Sequence, residues 1–491
     1  MRARAMQVVL ALAMTGAPLL ACGGGDSSSS SSPSGDAPDA GASPTGTGTP
    51  PPPPAADAGV PLPGAARWNA RLGGIQTDVG YTVAGDSAGN VVVAGSFQGT
   101  ADLAGVILTS AGGSDIFVAK YAPDGTALWA RRIGGKGNEM ATSVAIGSTG
   151  DILVGGASDG SIDYDGTVLG GGGAAGTLLL QLDKFGNVAM ARAYGGDSYG
   201  TIVGVAVAAD GSVALCGAYQ GTIDLGAGPL PAAQGTYDAF LARFDPTAMK
   251  LVYAKHLGGD GVDLAQGVAF GPKGVLAVIG SFSGTGDFGS GARTAVGKSD
   301  VFAGAFDKLG TLAWNRYYGG LDTDDGRSIA FDPAGDIFLA GGFGSTVDFG
   351  HGPVNSQGLI DGFVLKLTPT SAPDWAQTFG SPGDDEAVSI AADASGDALV
   401  GGLFEQNMMI GGTAFVSAGD RDVVALKLGG DGSHLWTRHF GSVEADVGVG
   451  VAFDGPGHAL VTGFFRKQVD FGTGLKGSAG DDDVFVATFQ P

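Results

Sequence analysis

RWNARLGG at 67–74, LWARRIGG at 128–135, MARAYGG at 190–196, YAKHLGG at 253–259, WNRYYGG at 314–320, WAQTFGS at 375–381 and WTRHFGS at 436–442 are one segment written seven times. Its first large residue falls at Trp68, Trp129, Met190, Tyr253, Trp314, Trp375 and Trp436, a spacing of 61 residues with one step of 63. Two further markers keep the same phase. A Gly ending a tight turn recurs at Gly89, Gly150, Gly211, Gly274, Gly335, Gly396 and Gly457, and a Gly inside an apolar run at Gly95, Gly156, Gly217, Gly280, Gly341, Gly402 and Gly463. Three markers in one phase define a repeat, and a repeat has to be recognised before single elements are assigned.

Within each unit lie four short runs rich in Val, Ile, Leu, Ala and Phe, separated by Gly, Asp, Pro and Ser, with no helical period. In the first unit they are strand A (YTVAGD, 81–86), B (NVVVAGSF, 90–97), C (DIFVAKYA, 115–122) and D (ALWARRI, 127–133). Turns at Ala88-Gly89-Asn90 and Pro123-Asp124-Gly125-Thr126 join A to B and C to D, both with hairpin chemistry. This pattern predicts an all-β fold, a seven-bladed β-propeller of four-stranded antiparallel blades spanning 65–491. The folded region opens on a D-type segment (AARWNARLGG, 65–74) and ends on a C-type one (DVFVATFQP, 483–491), so the N-terminal strand is expected to complete the last blade and close the ring. The competing phase leaves the final blade three-stranded.

Ahead of the repeats, Arg2 and Arg4 precede an apolar run that is interrupted by Gly16 and Pro18, too short for a membrane span of about 20 residues. Residues 1–22 read as a signal peptide whose end, Leu19-Leu20-Ala21-Cys22, resembles the lipobox of bacterial lipoproteins. That resemblance implies acylation of Cys22 and a lipid-anchored place in the cell envelope, at the outer membrane or cell surface. Several acyl chains anchor firmly because each buried CH₂ contributes about 0.8 kcal/mol. Residues 23–64 are Gly, Ser, Pro, Ala and Asp, unable to bury enough apolar surface to offset ordering, and are expected to form a disordered linker.

Taken together, the Trp, the Gly pair, the acidic residue after it, the turn Gly, the GxF of strand B, the D-F-G of the following loop and the D-x-F-V-A-K of strand C resemble the SBBP repeat, a bacterial seven-bladed propeller family. The resemblance covers 66–491 and implies an envelope or secreted protein. It carries no catalytic residue over.

Composition narrows the function classes. A net charge of −23 among 491 residues argues against binding a nucleic-acid backbone, and two Cys exclude a disulfide framework. Four places after each Gly pair stands an acid, at Asp78, Glu139, Asp263, Asp324, Asp385 and Asp446, with Gly200 the exception. A second series, Asp102, Asp163, Asp224, Asp287, Asp348 and Asp470, lies in the B-to-C loops. One reading is that the first ring lines a channel mouth and binds Ca²⁺, the one cofactor this chain suggests; the other is that each Asp caps its own loop. Asp322, Asp325, Asp384, Glu386 and Glu444 add acids beside units five to seven and mark the side where a cation or basic partner would bind. Met408 and Met409, in an apolar loop that replaces the polar one, are a candidate contact patch or a buried repacking.

Apparent enzyme motifs fail on context. GASDG at 156–160 fits a nucleophile elbow around Ser158 but no helix follows, and the G-x-G-x-x-G at Gly171, Gly173 and Gly176 sits in a loop. The five His show no metal-ligand spacing. The expectation is a monomeric, non-catalytic binding or scaffold module for protein or polysaccharide. The alternatives are a lyase or glycosidase using the acidic face, or a purely structural surface protein.

Overall fold

The structure is a computed structural model and describes residues 62–169, 176–195, 199–246 and 249–491. Cys22, the signal segment and nearly all of the linker lie outside the described residues, as does most of the Gly-rich loop at 170–176. Apart from one 3₁₀ turn at Pro272–Gly274, every element among the described residues is a strand.

Each repeat folds as an antiparallel sheet in the order A-B-C-D, which makes the domain a β-propeller. Five blades stand as sheets of their own. An example is Asp324–Phe331, Ile337–Phe343, Asp361–Leu367 and Pro373–Phe379, paired in that order. The other four occupy 139–194, 200–259, 263–318 and 386–440, the second of them extended by a short hairpin from the following unit. Three hairpins, at 346–355, 407–416 and 468–477, stand as two-stranded sheets, and the other ten strands run together in one sheet. In it Val447–Phe453, Ala459–Phe465, Asp483–Phe489 and Ala66–Gly74 connect to the blade built from Val79–Gly85, Val91–Leu103, Val106–Tyr121 and Ala127–Gly135.

The expectation of seven separate blades is corrected by this join. It consists of Gly73 opposite Asp102 and Gly74 opposite Ala101. A Gly pair has no side chain to hold it off the next unit's hairpin, so the two backbone ladders fuse. A Cβ on Gly74 would overlap the carbonyl oxygen of Thr100, and the same holds for Gly135 on Ser161, Gly259 on Thr285 and Gly320 on Thr346. The first strand pairs with the last, Leu72 opposite Val484 through Trp68 opposite Thr488, so the two ends of the folded chain are one ladder.

The turn glycines that phase the repeat sit at φ values from +77° to +94°, at Gly89, Gly150, Gly211, Gly274, Gly335, Gly396 and Gly457, where L residues are strained. Strand D docks on the neighbouring blade through its Trp. Trp68 Nε1 donates to Pro123 O at 3.1 Å, Trp129 to Lys184 O at 3.2 Å and Trp375 to Gly430 O at 3.1 Å. Each indole covers the turn glycine of that hairpin, Gly125, Gly186 or Gly432. At the seam Trp436 covers Gly64, and Arg438 Nε donates to Gly64 O at 2.8 Å, so a residue two places before the first strand stands where a turn glycine stands elsewhere.

Between blades the sheet faces share apolar cores. Phe338, Ala340 and Val364 of one blade pack with Ala387, Val400 and Val424 of the next. Each large side chain removed from water contributes about 1.5–3 kcal/mol. Because the first strand belongs to the last ladder, deleting residues 65–74 is expected to lower the melting temperature sharply and to open the ring, readable by calorimetry and by limited proteolysis at the exposed edge of 483–489.

Candidate functional site

Strand A is the innermost strand of every blade, and it is not regular. Its register against strand B skips one residue each time: Tyr81, Thr142, Val203, Gln266, Arg327, Val388 and Val449. The cause lies across the ladder. The Gly inside strand B, from Gly95 to Gly463, lies so close to the carbonyl of the strand A residue two places before the bulge (Val79, Met140, Thr201, Leu264, Asp325, Glu386, Val447) that a Cβ there would overlap it. A bulge re-aims the side chain it carries. All of the skipped residues line one cavity of about 220 Å³ on the propeller axis, together with Met140, Ser158, Tyr199 and Tyr237.

Hydroxyls one place further along hold adjacent inner strands together. Thr82 Oγ1 accepts from Val144 N at 3.0 Å, Ser143 Oγ from Val205 N at 3.0 Å, Ser328 Oγ from Ile390 N at 3.1 Å and Ser389 Oγ from Val451 N at 3.1 Å. The cavity wall is therefore braced, and its side chains differ from unit to unit. Among the described residues of the wall, Arg327 is the charged one. Its Nε donates to Glu386 Oε1 at 2.5 Å, its Nη1 to Gln266 Oε1 at 2.9 Å, and Asp325 lies 3.7 Å from Nη2. Burial works against its charge, but the two carboxylates hold its pKa above the ordinary value. Burial raises Glu386 in turn, opposed by Arg327. Tyr81 is pushed up to about 12 by burial.

The acids singled out in the sequence fall elsewhere. Asp78, Glu139, Asp263, Asp324, Asp385 and Asp446 are buried, each in its own blade, and they do not line an open mouth. Each accepts the N–H of the residue four places earlier: Gly74 at 2.7 Å, Gly135 at 2.6 Å, Gly259 at 2.8 Å, Gly320 at 2.7 Å, Ser381 at 2.6 Å and Ser442 at 2.5 Å. Four also accept a second N–H from the end of strand B, from Gln98, Gly344, Glu405 and Arg466. Donors aimed at the oxygens are the wrong surroundings for a cation, and no group of three or more His, Cys, Asp or Glu among the described residues is arranged to hold one. The capping reading holds for this ring. It holds for the second series too: Asp102 takes Gly105 N at 2.8 Å, and Asp287, Asp348 and Asp470 each take two Gly N–H groups of their hairpin. Burial pushes Asp78, Glu139, Asp263 and Asp324 up to about 7, and Asp385 and Asp446 to about 6, against the pull of those N–H donors.

The additional acids of units five to seven are ion-paired rather than an unopposed negative patch. Asp322 meets Lys298 at 2.6 Å, Asp384 and Glu405 share Arg421 at 3.1 and 2.8 Å, and Glu444 faces Arg466 at 3.7 Å and Lys467 at 3.3 Å. Asp325 and Glu386 belong to Arg327, as above. Met408 and Met409 do not form one patch: strand alternation buries Met408 in the inter-blade core and leaves Met409 54% exposed. Ser158 Oγ donates to Gly160 O at 2.9 Å and lies 3.2 Å from Glu139 Oε1, the buried acid of its own blade. Cys216 is buried, and burial raises its thiol.

Sequence reasoning missed the bulge residues. The signal was present, since the place three after the acid changes chemical class from unit to unit while its neighbours hold.

No family model matches the chain, and no curated protein matches it. Among solved structures it is similar to Sqt1 from Chaetomium thermophilum, at 11% identity over 88% of this chain and 100% of that one with a TM-score of 0.42. It is also similar to the Dos1 propeller (8% identity, 87% and 94% covered, TM-score 0.40) and to the quinohemoprotein alcohol dehydrogenase of Comamonas testosteroni (11%, 84% and 76%, TM-score 0.37). Likeness at this level says nothing of what this chain binds.

Glu386→Ala should cost about 3–5 kcal/mol in urea unfolding, because it leaves the buried guanidinium short of its main partner. Removing both charges with Arg327→Met/Glu386→Met should cost clearly less than Glu386→Ala alone, the mark of a pair whose halves depend on each other.

Proposed function

We propose that the chain is a lipid-anchored envelope protein of the SBBP type, acting as a non-catalytic binding module for a protein or a polysaccharide. In this reading the ten-stranded sheet counts as two blades, the ring has seven, and the spacer after Cys22 holds it off the membrane. The observation that carries the binding role is the bulge ring. One slot per blade is aimed at one cavity, and that slot holds Tyr81, Thr142, Gln266 and Arg327 in four units and Val203, Val388 and Val449 in the other three. A braced wall with phenol, hydroxyl, amide and apolar groups suits a polar ligand group with an apolar face, such as a sugar residue or a protruding side chain. Among the described residues the cavity wall carries no carboxylate, which favours binding over hydrolysis by a carboxylate pair.

The test is affinity capture from envelope extracts on the immobilised full chain, run with Ca²⁺ and with chelator, beside Tyr81→Ala/Gln266→Ala. Retention by the parent in both conditions, reduced tenfold or more in the variant, is the expected result; tenfold corresponds to about 1.4 kcal/mol. Equal retention by both proteins would move the contact off the axis. For the anchor, Cys22→Ala should shift the protein from the detergent-extracted membrane fraction to the soluble one.

A further inference from the structure

Where one blade meets the next, two acids face each other across the junction. One is the buried acid after the Gly pair; the other opens strand C of the preceding blade. The pairs are Asp483 with Asp78, Asp115 with Glu139, Asp238 with Asp263, Asp300 with Asp324, Asp361 with Asp385 and Asp422 with Asp446, and in each the first member raises the second electrostatically. The backbone sets them close. Asp324 N donates to Ser299 O at 3.0 Å and Asp385 N to Ile360 O at 2.8 Å, the carbonyls directly before Asp300 and Asp361. The strand C acid uses one oxygen to accept a backbone N–H, from Val296 at 3.1 Å for Asp300 and from Gln357 at 2.9 Å for Asp361. Its other oxygen is buried without a partner in all of these pairs.

A third position completes the junction, two residues before the Gly pair. Arg71 meets Asp483 at 2.5 Å, Arg132 meets Asp115 at 2.6 Å, His256 bonds Asp238, and His439 acts on Asp422. At the junction where both acids are absent, replaced by Gly176 and Gly200, this position is Ala193. Acids and base are lost together, so the positive charge is there for the acids. Two junctions break the rule: Tyr317 and Thr378 stand in the basic position while Asp300/Asp324 and Asp361/Asp385 remain, all four carboxyls at most 1% exposed. The other charges near them are Asp325 beside Asp324 and the exposed Arg293, stacked over Tyr317, for Asp300; Asp384 and Glu386 flank Asp385 and are taken by Arg421 and Arg327.

Two buried carboxylates side by side cannot both ionise without a compensating charge. We propose that a proton supplies it: the unpartnered oxygen of Asp300 and of Asp361 carries a hydrogen donated to the carboxylate of Asp324 and of Asp385, so these two blade junctions are latched by shared protons. The direction of the pH effect follows. Both members of each pair are raised by burial, Asp324 to about 7 and Asp385 to about 6. The unfolded chain titrates its Asp near 3.9. The stabilisation is complete below that value and is lost as the pH rises through the folded one, so the ring weakens between about pH 4 and 7, opposite to acid denaturation.

The test is the melting temperature of the full chain from pH 5 to pH 8, parent against Asp300→Asn/Asp361→Asn. The Asn oxygen keeps the backbone bond and its amide donates to the partner carboxylate at every pH. Every other ionisable group is common to both proteins, so the difference isolates the latch. The parent should fall by several degrees more than the variant; equal slopes would overturn the proposal. A second readout needs no variant: the infrared band of neutral carboxyl in D₂O should be present at pH 6 and vanish by pH 9, and its absence at pH 6 would also overturn it. Adding Ca²⁺ at pH 8 should leave the parent's melt unchanged; recovery to the variant's value, reversed by chelator, would mean that a metal ion and not a proton does the compensating.

Discussion

The close approach of a strand B glycine to the carbonyl of strand A is the contact on which the rest depends. At Gly95 the Cα sits where any Cβ would overlap Val79 O, and the same geometry recurs around the ring. With no side chain there, strand A can crowd its neighbour, slip one residue and turn Tyr81, or its counterpart, toward the axis. A regular strand would alternate its faces and bury that residue between blades. The bulge thus converts a repeat built for packing into a ring of variable side chains around a cavity.

The other glycines and the acids act away from the axis, where they bring backbone to backbone at the blade junctions. The Gly pair lets strand D meet the next hairpin, and the acid four places on satisfies the N–H groups of that turn, since a buried N–H left unpaired costs about 1–3 kcal/mol. The Trp of strand D then covers a turn glycine of the neighbouring blade. Adhesion between blades is accordingly shared among apolar faces, indole caps and buried carboxyls. Of these three, the carboxyls are the component whose charge changes with pH.

Much of this was legible in one sequence. The 61-residue spacing, the strand runs, the positive-φ turn glycines and the D-type start paired with a C-type end all appear in the structure as read, because each is a local constraint repeated many times. The Asp78 series was legible as a series but not as a function: a mouth ligand and a loop cap ask for the same residue at the same place, and only the N–H donors at 2.5 to 2.8 Å decide between them. The acids of units five to seven looked like a patch because Arg327, Arg421 and Arg466 are each separated in sequence from at least one carboxylate they neutralise. Met408 and Met409 looked like one surface, and strand alternation sent them to opposite sides.

By itself the sequence determined the architecture, since periodic Gly and alternating apolar residues admit few ways to bury so many short strands. Only the tertiary structure decided where the blades fuse, which residue of strand A faces the axis, and which acids meet across a junction. Those depend on the register between strands and on contacts between repeats some 60 residues apart, and a one-residue slip in a ladder reverses every face without changing the composition of the strand.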